Sequence, residues 1–322
     1  RPPRSTPKPS SAASDVYKRQ VSPPKTSTVC YSALVAPRAT TTGRGCHCIG
    51  CSDVDRISSR RNDIVTVFRT AAAGQRERLL LDGKHLVEQA LRADLSIKTL
   101  AMTASRLADN TLLAESLIKA GTKVITVTES VMDVMSPVVT PSGIVAIAER
   151  PPVTVDDVLR RTPQFVVGLV DVQNPGNLGA VIRTAEAGGA TGIAATGKSA
   201  DPYGWKALRG AMGGTFHIPV TWPTASLSLI ADARASGLKV VAATVGGGKS
   251  LYEIDLTVPT LVMVGGEGSG LSQEVVSATD QALFIPMPGS ADSLNAATAA
   301  ALIIYEAFRQ RYLAGASSLE GN

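Results

Sequence analysis

The stretch that decides the fold is Asn174-Pro-Gly-Asn-Leu-Gly-Ala-Val-Ile-Arg-Thr-Ala185. It follows the apolar run 165–170, which predicts a buried strand, and it continues into residues 178–188, which have the apolar spacing of a helix. Asn177 and Arg183 therefore lie at a strand-to-helix junction. Ligands of open α/β sheets bind just beyond the carboxyl ends of the strands. These two polar side chains are thus candidates for chemistry rather than for packing.

Strands and helices alternate on both sides of this junction. Strands are predicted at 165–170, 191–195, 217–220, 238–245, 260–264 and 282–285, and a long helix at 293–312. This alternation is typical of an α/β fold in which a mainly parallel sheet carries helices on both faces. Residues 61–150 are predicted to form a smaller α/β domain that precedes a catalytic domain over 164–315. The Pro-rich segment 151–163 is predicted to link them, with one helical turn near residues 155–159.

Composition excludes some classes of protein and leaves others open. The 322-residue chain has no run of 18 apolar residues, so the sequence predicts no membrane-spanning helix. Its net charge of +5 divides into +7 for residues 1–60, +1 for 61–150 and −3 for 151–322. The basic excess therefore belongs to the N-terminal tail. Any surface that binds RNA must be a local cluster of basic residues and not a global field.

The first 58 residues are rich in Pro, Ser, Thr and Arg and are predicted to be a disordered tail or a non-native leader. An organellar transit peptide is the alternative. This tail holds all four cysteines, Cys30, Cys46, Cys48 and Cys51. The run 46–51 resembles half of a metal knuckle, but no second ligand pair follows, so we expect no metal. The absence of cysteine elsewhere suits a reducing compartment, and we predict a cytoplasmic location.

Two further blocks lie in the C-terminal half. Gly265-Gly-Glu-Gly-Ser-Gly-Leu271 follows an apolar strand and has more glycines than a tight turn requires, grouped around Glu267. Ile285-Pro-Met-Pro-Gly-Ser-Ala-Asp-Ser-Leu-Asn295 leads from a strand into an Ala-rich helix. Ser293 is predicted to cap that helix. Asn295 is expected inside its first turn, where packing gives no reason for an amide.

One rival pattern points to another class of enzyme. Residues 243–250, Ala-Thr-Val-Gly-Gly-Gly-Lys-Ser, satisfy a relaxed phosphate-loop pattern after a strand. A phosphate loop opens a helix, whereas the following residues are strand-like and end in Pro259. A nucleoside triphosphatase is therefore the less favoured interpretation and is kept as an alternative.

In their order, the three blocks resemble the SpoU/TrmH family of RNA ribose 2′-O-methyltransferases, in the SPOUT superfamily, over residues 165–312. Residues 61–150 resemble an L30e-type substrate-binding domain. The resemblance implies a C-terminal trefoil knot, S-adenosylmethionine as the cofactor, no metal, and a homodimer with active sites near the subunit interface. It implies methyl transfer to a ribose 2′-hydroxyl of structured RNA, and we expect 23S-type ribosomal RNA. The alternatives are transfer RNA as substrate and, in another class, a non-catalytic RNA-binding protein.

The resemblance also assigns roles to individual residues. The implied catalytic residues are Asn177, Arg183, Glu267, Ser293 and Asn295. The implied cofactor-binding residues are Thr244, Gly265, Gly266, Gly270, Ile285, Met287 and Leu294. Candidate contacts to RNA phosphates are Arg76, Arg78, Lys84 and Arg209, for which solvated surface charges are the alternative. Because arginine stays protonated, Arg183 is expected to anchor a phosphate and stabilise charge, with a general-base role as the alternative.

Overall fold

The structure is a computed structural model that describes residues 54–268 and 270–319, the last four of these by their backbone only. The four cysteines, and with them the possible metal knuckle and most of the expected leader, lie outside the described residues. Two sheets organise the described chain. We call residues 54–150 the first domain and residues 151–319 the second domain.

The first domain contains a five-stranded sheet in the order β1-β4-β3-β5-β2. Its elements are β1 (Asp55–Ile57), α1 (Asp63–Ala72), β2 (Arg78–Asp82), α2 (Lys84–Arg92), β3 (Ile97–Thr103), α3 (Ala104–Asp109), α4 (Thr111–Lys119), β4 (Lys123–Val127), α5 (Glu129–Met135) and β5 (Ile144–Glu149). Strand β1 lies within the stretch predicted to be a tail, so the boundary predicted at residue 61 is too late. This three-residue strand has no pattern of its own and is defined by its parallel pairing with β4.

The second domain contains a seven-stranded sheet in the order β10-β12-β9-β11-β6-β7-β8, and every neighbouring pair is parallel. Its elements are α6 (Val155–Leu159), β6 (Phe165–Val170), α7 (Pro175–Ala187), β7 (Gly192–Thr196), α8 (Trp205–Ala211), β8 (Val220–Thr224), α9 (Ser226–Ala235), β9 (Lys239–Thr244), β10 (Lys249–Ser250), β11 (Thr260–Gly265), α10 (Gln273–Ser277), β12 (Gln281–Phe284) and α11 (Ala296–Leu319). This confirms the predicted α/β class. The strand predicted at 217–220 is displaced, because residues 214–216 form a 3₁₀ turn and pairing with β7 begins only at residue 220.

The apolar run of β6 is explained by burial on both sides of the sheet. All six of its residues are buried, as expected for a central parallel strand. Phe165, Val167 and Leu169 belong to the apolar cluster that also contains buried residues of α7, α8 and α11. Val166 and Val170 belong to the cluster that contains buried residues of α9.

The parallel strands place the loops that follow them at one edge of the second sheet, and those after β6, β9, β11 and β12 are among them. After β12 the chain returns past Glu267, to which Asn295 is hydrogen-bonded, and α11 then packs on α7. The packing is close, since a Cβ on Gly188 would lie 2.4 Å from Cγ2 of Ile304. This return from the β12 side of the sheet to the β6 side is consistent with the expected trefoil knot.

Candidate active site

The N-terminus of α7 places Asn177 at the edge where the strands end. Oδ1 of Asn174 accepts hydrogen bonds from the backbone N–H groups of Gly176, at 2.8 Å, and of Asn177, at 3.3 Å. Pro175 occupies the first helical position, where no backbone donor is needed. The backbone of Asn177 is therefore fixed in the first turn, while its side-chain amide can bond elsewhere.

Two close approaches explain the first glycines of the loop after β11. A Cβ on Gly266 would lie 2.1 Å from the carbonyl oxygen of Asp171, and a Cβ on Gly265 would lie 2.4 Å from the carbonyl carbon of Gly270. Because the obstructing atoms are backbone atoms, only glycine fits at either position. These contacts bring Glu267 next to the loop that follows β6.

Glu267 joins the three sequence blocks. Its Oε1 accepts a hydrogen bond from Nδ2 of Asn295 at 2.8 Å, and a second one from Nδ2 of Asn177. Oε2 has no hydrogen-bond partner among the residues that the structure describes. We call Asn177, Glu267 and Asn295 the Glu267 junction. Three of the five residues that the resemblance assigned to catalysis therefore meet at one carboxylate.

Asn295, and not Ser293, caps helix α11. Oδ1 of Asn295 accepts hydrogen bonds from the backbone N–H groups of Ala297, at 2.8 Å, and Thr298, at 3.4 Å. The predicted cap at Ser293 is wrong because the helix begins only at Ala296. Both polar atoms of the Asn295 amide are therefore hydrogen-bonded: the oxygen caps helix α11, and the nitrogen donates to Glu267.

A cavity of about 410 Å³ adjoins the Glu267 junction. All seven residues predicted to bind the cofactor line it, namely Thr244, Gly265, Gly266, Gly270, Ile285, Met287 and Leu294. Glu267, Ser293 and Asn295 line it as well. The sequence did not identify the lining residues 243, 245, 264, 268, 271, 296 and 299. Each of these is a neighbour of a predicted residue or lies one helical turn from Asn295, and that proximity is the signal that could have found them.

A smaller cavity of about 170 Å³ shares Glu267 with the larger one. Its other lining residues come from the loop after β6 and the start of α7: Asp171, Val172, Gln173, Asn174 and Asn177. Asp171 has a φ of 55°, which non-glycine residues rarely adopt, and its Oδ1 accepts a hydrogen bond from the N–H of Lys198 at 2.6 Å. Sequence reasoning missed Asp171 and Gln173, although both directly follow the carboxyl end of β6.

Arg183 is not brought to the Glu267 junction. It lies on α7 about 120° around the helix from Asn177, because six residues at 100° each give that rotation. Its side chain is exposed and lines neither cavity. Within the described part of the chain, the guanidinium has no hydrogen bond or ion pair. One copy of the chain therefore does not gather all five predicted catalytic residues.

The four basic residues predicted to contact RNA lie in different settings. The guanidinium of Arg76 lies 5.2 Å from the ring centroid of Trp222, in the second domain. Lys84 forms an ion pair with Glu88, in which Nζ and Oε1 are 3.8 Å apart. Arg78 is exposed at the start of β2, and Arg209 is exposed in the last turn of α8. None of these four lines either cavity.

Arg209 acts on a buried carboxylate of the first domain. Burial raises the pKa of Asp82, while the hydrogen bond from Oγ of Ser136, at 2.5 Å, and the charge of Arg209 lower it. Burial is the largest of these effects. Asp82 and Arg209 therefore interact electrostatically across the two domains.

Residues 243–250 do not form a phosphate loop. Gly247 and Gly248 adopt positive φ values of 82° and 83°, and Lys249–Ser250 then form β10, which pairs with β12. Because a phosphate loop requires a helix at this point, the triphosphatase alternative is wrong.

Residues 54–268 and 270–319 contain neither a candidate metal site nor a membrane-spanning helix. In these ranges, no group of three or more His, Cys, Asp or Glu side chains could hold a metal ion. In the same ranges, no helix combines the length and the apolar character needed to cross a membrane.

Comparison with known proteins relates both domains to RNA methyltransferases. Residues 164–305 match the SpoU rRNA Methylase family, and residues 74–146 match the MRM3-like substrate binding domain. An uncharacterized tRNA/rRNA methyltransferase of Synechocystis sp. is 34% identical over 82% of this chain and 97% of its own length. The 23S rRNA (guanosine(2553)-2′-O)-methyltransferase of Bacillus subtilis is 32% identical over 70% of this chain and 86% of its own length. The crystal structure of an AdoMet-bound rRNA methyltransferase from Sinorhizobium meliloti has a TM-score of 0.72 at 31% identity, covering 80% of this chain and 98% of that chain.

Proposed function

Because the chain belongs to the SpoU rRNA methylase family, we propose that it transfers a methyl group from S-adenosylmethionine to a ribose 2′-hydroxyl of 23S ribosomal RNA. The observation that carries this proposal is the Glu267 junction, which puts a cavity of cofactor size next to a small polar one. The match of the first domain to a substrate-binding domain supports a structured RNA. A ribosomal substrate also favours the predicted cytoplasmic location.

The larger cavity fits the cofactor. Its volume of about 410 Å³ lies within the range of small-molecule sites, roughly 300–1,000 Å³. Ile285, Met287 and Leu294 give it apolar walls, and the glycines of the β11 loop have no side chains that would keep a ligand away from their backbone. Backbone groups of 265–268 and 285–294 would hold the adenine and the ribose of the cofactor. Once bound, S-adenosylmethionine supplies a methyl group that its sulfonium has already activated.

The smaller cavity is the proposed place of the acceptor ribose. Asn177 and Asn295 both donate to Oε1 of Glu267 and hold the carboxylate in one orientation. Its Oε2 is then available to accept a hydrogen bond from the ribose. Holding the hydroxyl in line with the methyl group can supply roughly 7–11 kcal/mol of the barrier. The C–S bond of the cofactor breaks as the new O–C bond forms, and the hydroxyl proton is released to solvent.

The decisive experiment measures transfer of tritiated methyl groups to unmodified 23S rRNA and to transfer RNA transcripts. We expect label in the 23S rRNA, in dinucleotides that resist alkaline hydrolysis because their 2′-hydroxyl is methylated. Label in transfer RNA alone would mean that the substrate is transfer RNA and not 23S rRNA. Cofactor binding by calorimetry without any methyl transfer would support the non-catalytic RNA-binding alternative.

We further propose a homodimer in which Arg183 serves the active site of the partner subunit. Helix α11, which packs on α7, carries an exposed row of aromatic rings. Tyr305 and Phe308 have ring centroids 6.2 Å apart, and Phe308 and Tyr312 have centroids 5.9 Å apart. Exposed apolar patches of this kind mark protein interfaces. Arg183 lies on the neighbouring helix without a partner among the described residues, and in the partner subunit's site it would anchor a phosphate and stabilise charge.

Mixing two inactive variants tests this arrangement. Arg183→Ala should abolish methyl transfer and leave cofactor binding unchanged, because Arg183 does not line the cofactor cavity. Asn295→Ala should be inactive for a different reason, since it removes a donor to Glu267. If Arg183 acts across the dimer, exchange of subunits restores one site in each mixed dimer, or about a quarter of wild-type activity. If the mixture stays inactive, Arg183 does not act on the partner subunit.

A further inference from the structure

The first domain is attached to the second by more than the chain at residue 150. Leu81 and Leu86 of the first domain and Leu208 and Ala211 of α8 belong to one continuous buried apolar cluster. Domains in one chain usually move relative to each other unless their interface is extensive and apolar. The polar contacts at this interface show how such motion is restricted.

Four residues that we call the Arg150 clamp lie where the two domains meet: Arg150, Asp201, Tyr203 and Trp222. The backbone N–H of Arg150 donates to the carbonyl of Glu77, 3.1 Å away, so its backbone extends the first sheet. Its side chain reaches the second domain, where Nη1 lies 3.0 Å from Oδ2 of Asp201. The guanidinium carbon lies 4.4 Å from the ring centroid of Tyr203 and 5.3 Å from that of Trp222.

The two aromatic rings are themselves held in place by the second domain. The hydroxyl of Tyr203 donates to the carbonyl of Val220 at 3.1 Å, and Nε1 of Trp222 donates to the carbonyl of Ser199 at 3.0 Å. Burial raises the pKa of Tyr203 to about 12, so its hydroxyl remains a donor at neutral pH. Arg150 therefore enters a prebuilt site instead of ordering loose side chains around itself.

Partial burial makes this ion pair stronger than an ordinary surface pair. The side chains of Arg150 and Asp201 are only 15% and 23% exposed. Fully exposed ion pairs contribute little to stability, and a planar guanidinium on aromatic faces adds a contribution that lysine does not match.

A second attachment joins α2 to the turn after α8. Nε2 of His85 donates to the carbonyl of Met212 at 3.0 Å, and Nε2 of His217 donates to Oε1 of Gln89 at 2.7 Å. Gly213 has a φ of 90°, and a Cβ there would lie 2.6 Å from Cβ of Gln89. The second attachment restricts rotation about the Arg150 clamp, since each fixes the first domain at a different point.

We propose that the Arg150 clamp is a positioning device that holds the first domain, and the RNA bound to it, at a set distance from the two cavities. This proposal rests on the proposed function. It identifies the substrate as an RNA that is large enough to contact both domains at once. The methylated nucleotide is then selected by its distance from the feature that the first domain binds, and Arg150 is a positioning residue.

The test compares Arg150→Ala and Arg150→Lys with a matched control. Arg160→Ala removes an arginine from a surface pair with Asp156, in which the side chains are 77% and 66% exposed. Arg150→Ala should raise the KM for a 23S rRNA transcript about tenfold and change kcat less than about twofold, with cofactor affinity unchanged. Arg150→Lys should fall between Arg150→Ala and wild type, because it keeps the charge and loses the planar stack. Arg160→Ala should match wild type.

Hydrogen exchange provides a readout that needs no RNA and therefore does not depend on the proposed function. In Arg150→Ala, backbone amides of α2 and of residues 211–217 should exchange faster, while those of β6 and β11 should be unchanged. If faster exchange spreads through both sheets, or if kcat falls while KM stays constant, Arg150 is only a stabilising residue and the proposal is wrong. Unchanged exchange with an unchanged KM would overturn it as well.

Discussion

Glu267 is the residue that holds the Glu267 junction together, because both asparagine amides donate to one oxygen of its carboxylate. Glu267→Ala leaves both donors without an acceptor, and we expect kcat/KM to fall about a hundredfold or more. Glu267→Gln keeps an acceptor oxygen for the two amides and loses the acceptor that faces the ribose, so it should lose about tenfold, less than Glu267→Ala. Methyl-transfer kinetics on 23S rRNA check both values. Equal losses in the two variants would mean that methyl transfer depends on the negative charge of Glu267 and not on its hydrogen bonds to the two amides.

Asp82 shows how a single buried group makes stability depend on pH. Because burial raises its pKa, the folded chain binds this proton more tightly than the unfolded chain does. The resulting stability is fully present below the unfolded pKa of about 3.9 and is lost as pH rises through the folded pKa. The amide in Asp82→Asn does not titrate, so the melting temperature of this variant relative to wild type should rise as the pH is raised above about 4.

Thermal unfolding followed by circular dichroism at several pH values checks this prediction. Asp109→Asn is the control, since the Asp109 side chain is 67% exposed. A rise of the same size in the control would contradict the explanation by burial.

At the scale of elements, the crossing of α7 and α8 depends on a missing side chain. A Cβ on Gly179 would lie 2.5 Å from the carbonyl oxygen of Ala207 and 2.8 Å from the backbone nitrogen of Ala211. Gly179→Ala must therefore push the two helices apart, and we expect it to lower the free energy of unfolding by about 1–3 kcal/mol. It should also lower methyl transfer, because Asn177 lies in the same helix.

Urea unfolding measures this effect against a glycine of the same helix. A Cβ on Gly176 would meet only the side-chain Oδ1 of Asn174, at 3.1 Å. Gly176→Ala should therefore cost less stability than Gly179→Ala, and the reverse order would contradict the packing argument.

Elements and site residues were predictable from the sequence where the information is local. The apolar run 165–170 predicts β6 over the same six residues that form it. By contrast, β1 is defined by pairing with β4, and β8 by pairing with β7, so sequence patterns missed the first and displaced the second.

The same distinction holds in the candidate site. The blocks 265–271 and 285–295 contain six of the seven predicted cofactor residues that line the larger cavity, whereas the cap formed by Asn295 depends on where α11 begins. The smaller cavity depends on the approach of Gly266 to Asp171, which no local pattern shows.

For the whole molecule, the aromatic row on α11 predicts how two copies associate. Phe308 is 45% exposed at the centre of that row. Phe308→Asp should separate the proposed dimer into monomers, because a carboxylate cannot be buried there without a partner. Methyl transfer should be lost with cofactor binding retained. Sedimentation velocity measures the mass, and Leu112→Asp, at a 78% exposed position of the first domain, is the control. An unchanged mass for Phe308→Asp would rule out α11 as the interface.

Because the larger cavity exists only in the folded enzyme, the enzyme's resistance to unfolding and proteolysis depends on the supply of its methyl donor. Residues 243–299 contribute that lining from separate strands, loops and a helix, so the unfolded chain has no such cavity. Cofactor present at about 100 times its dissociation constant adds about 2.7 kcal/mol to the free energy of unfolding. Proteolysis follows the population of opened molecules, which this stabilisation reduces about a hundredfold. A cell short of S-adenosylmethionine therefore loses activity twice, first as unoccupied sites and then as degraded protein.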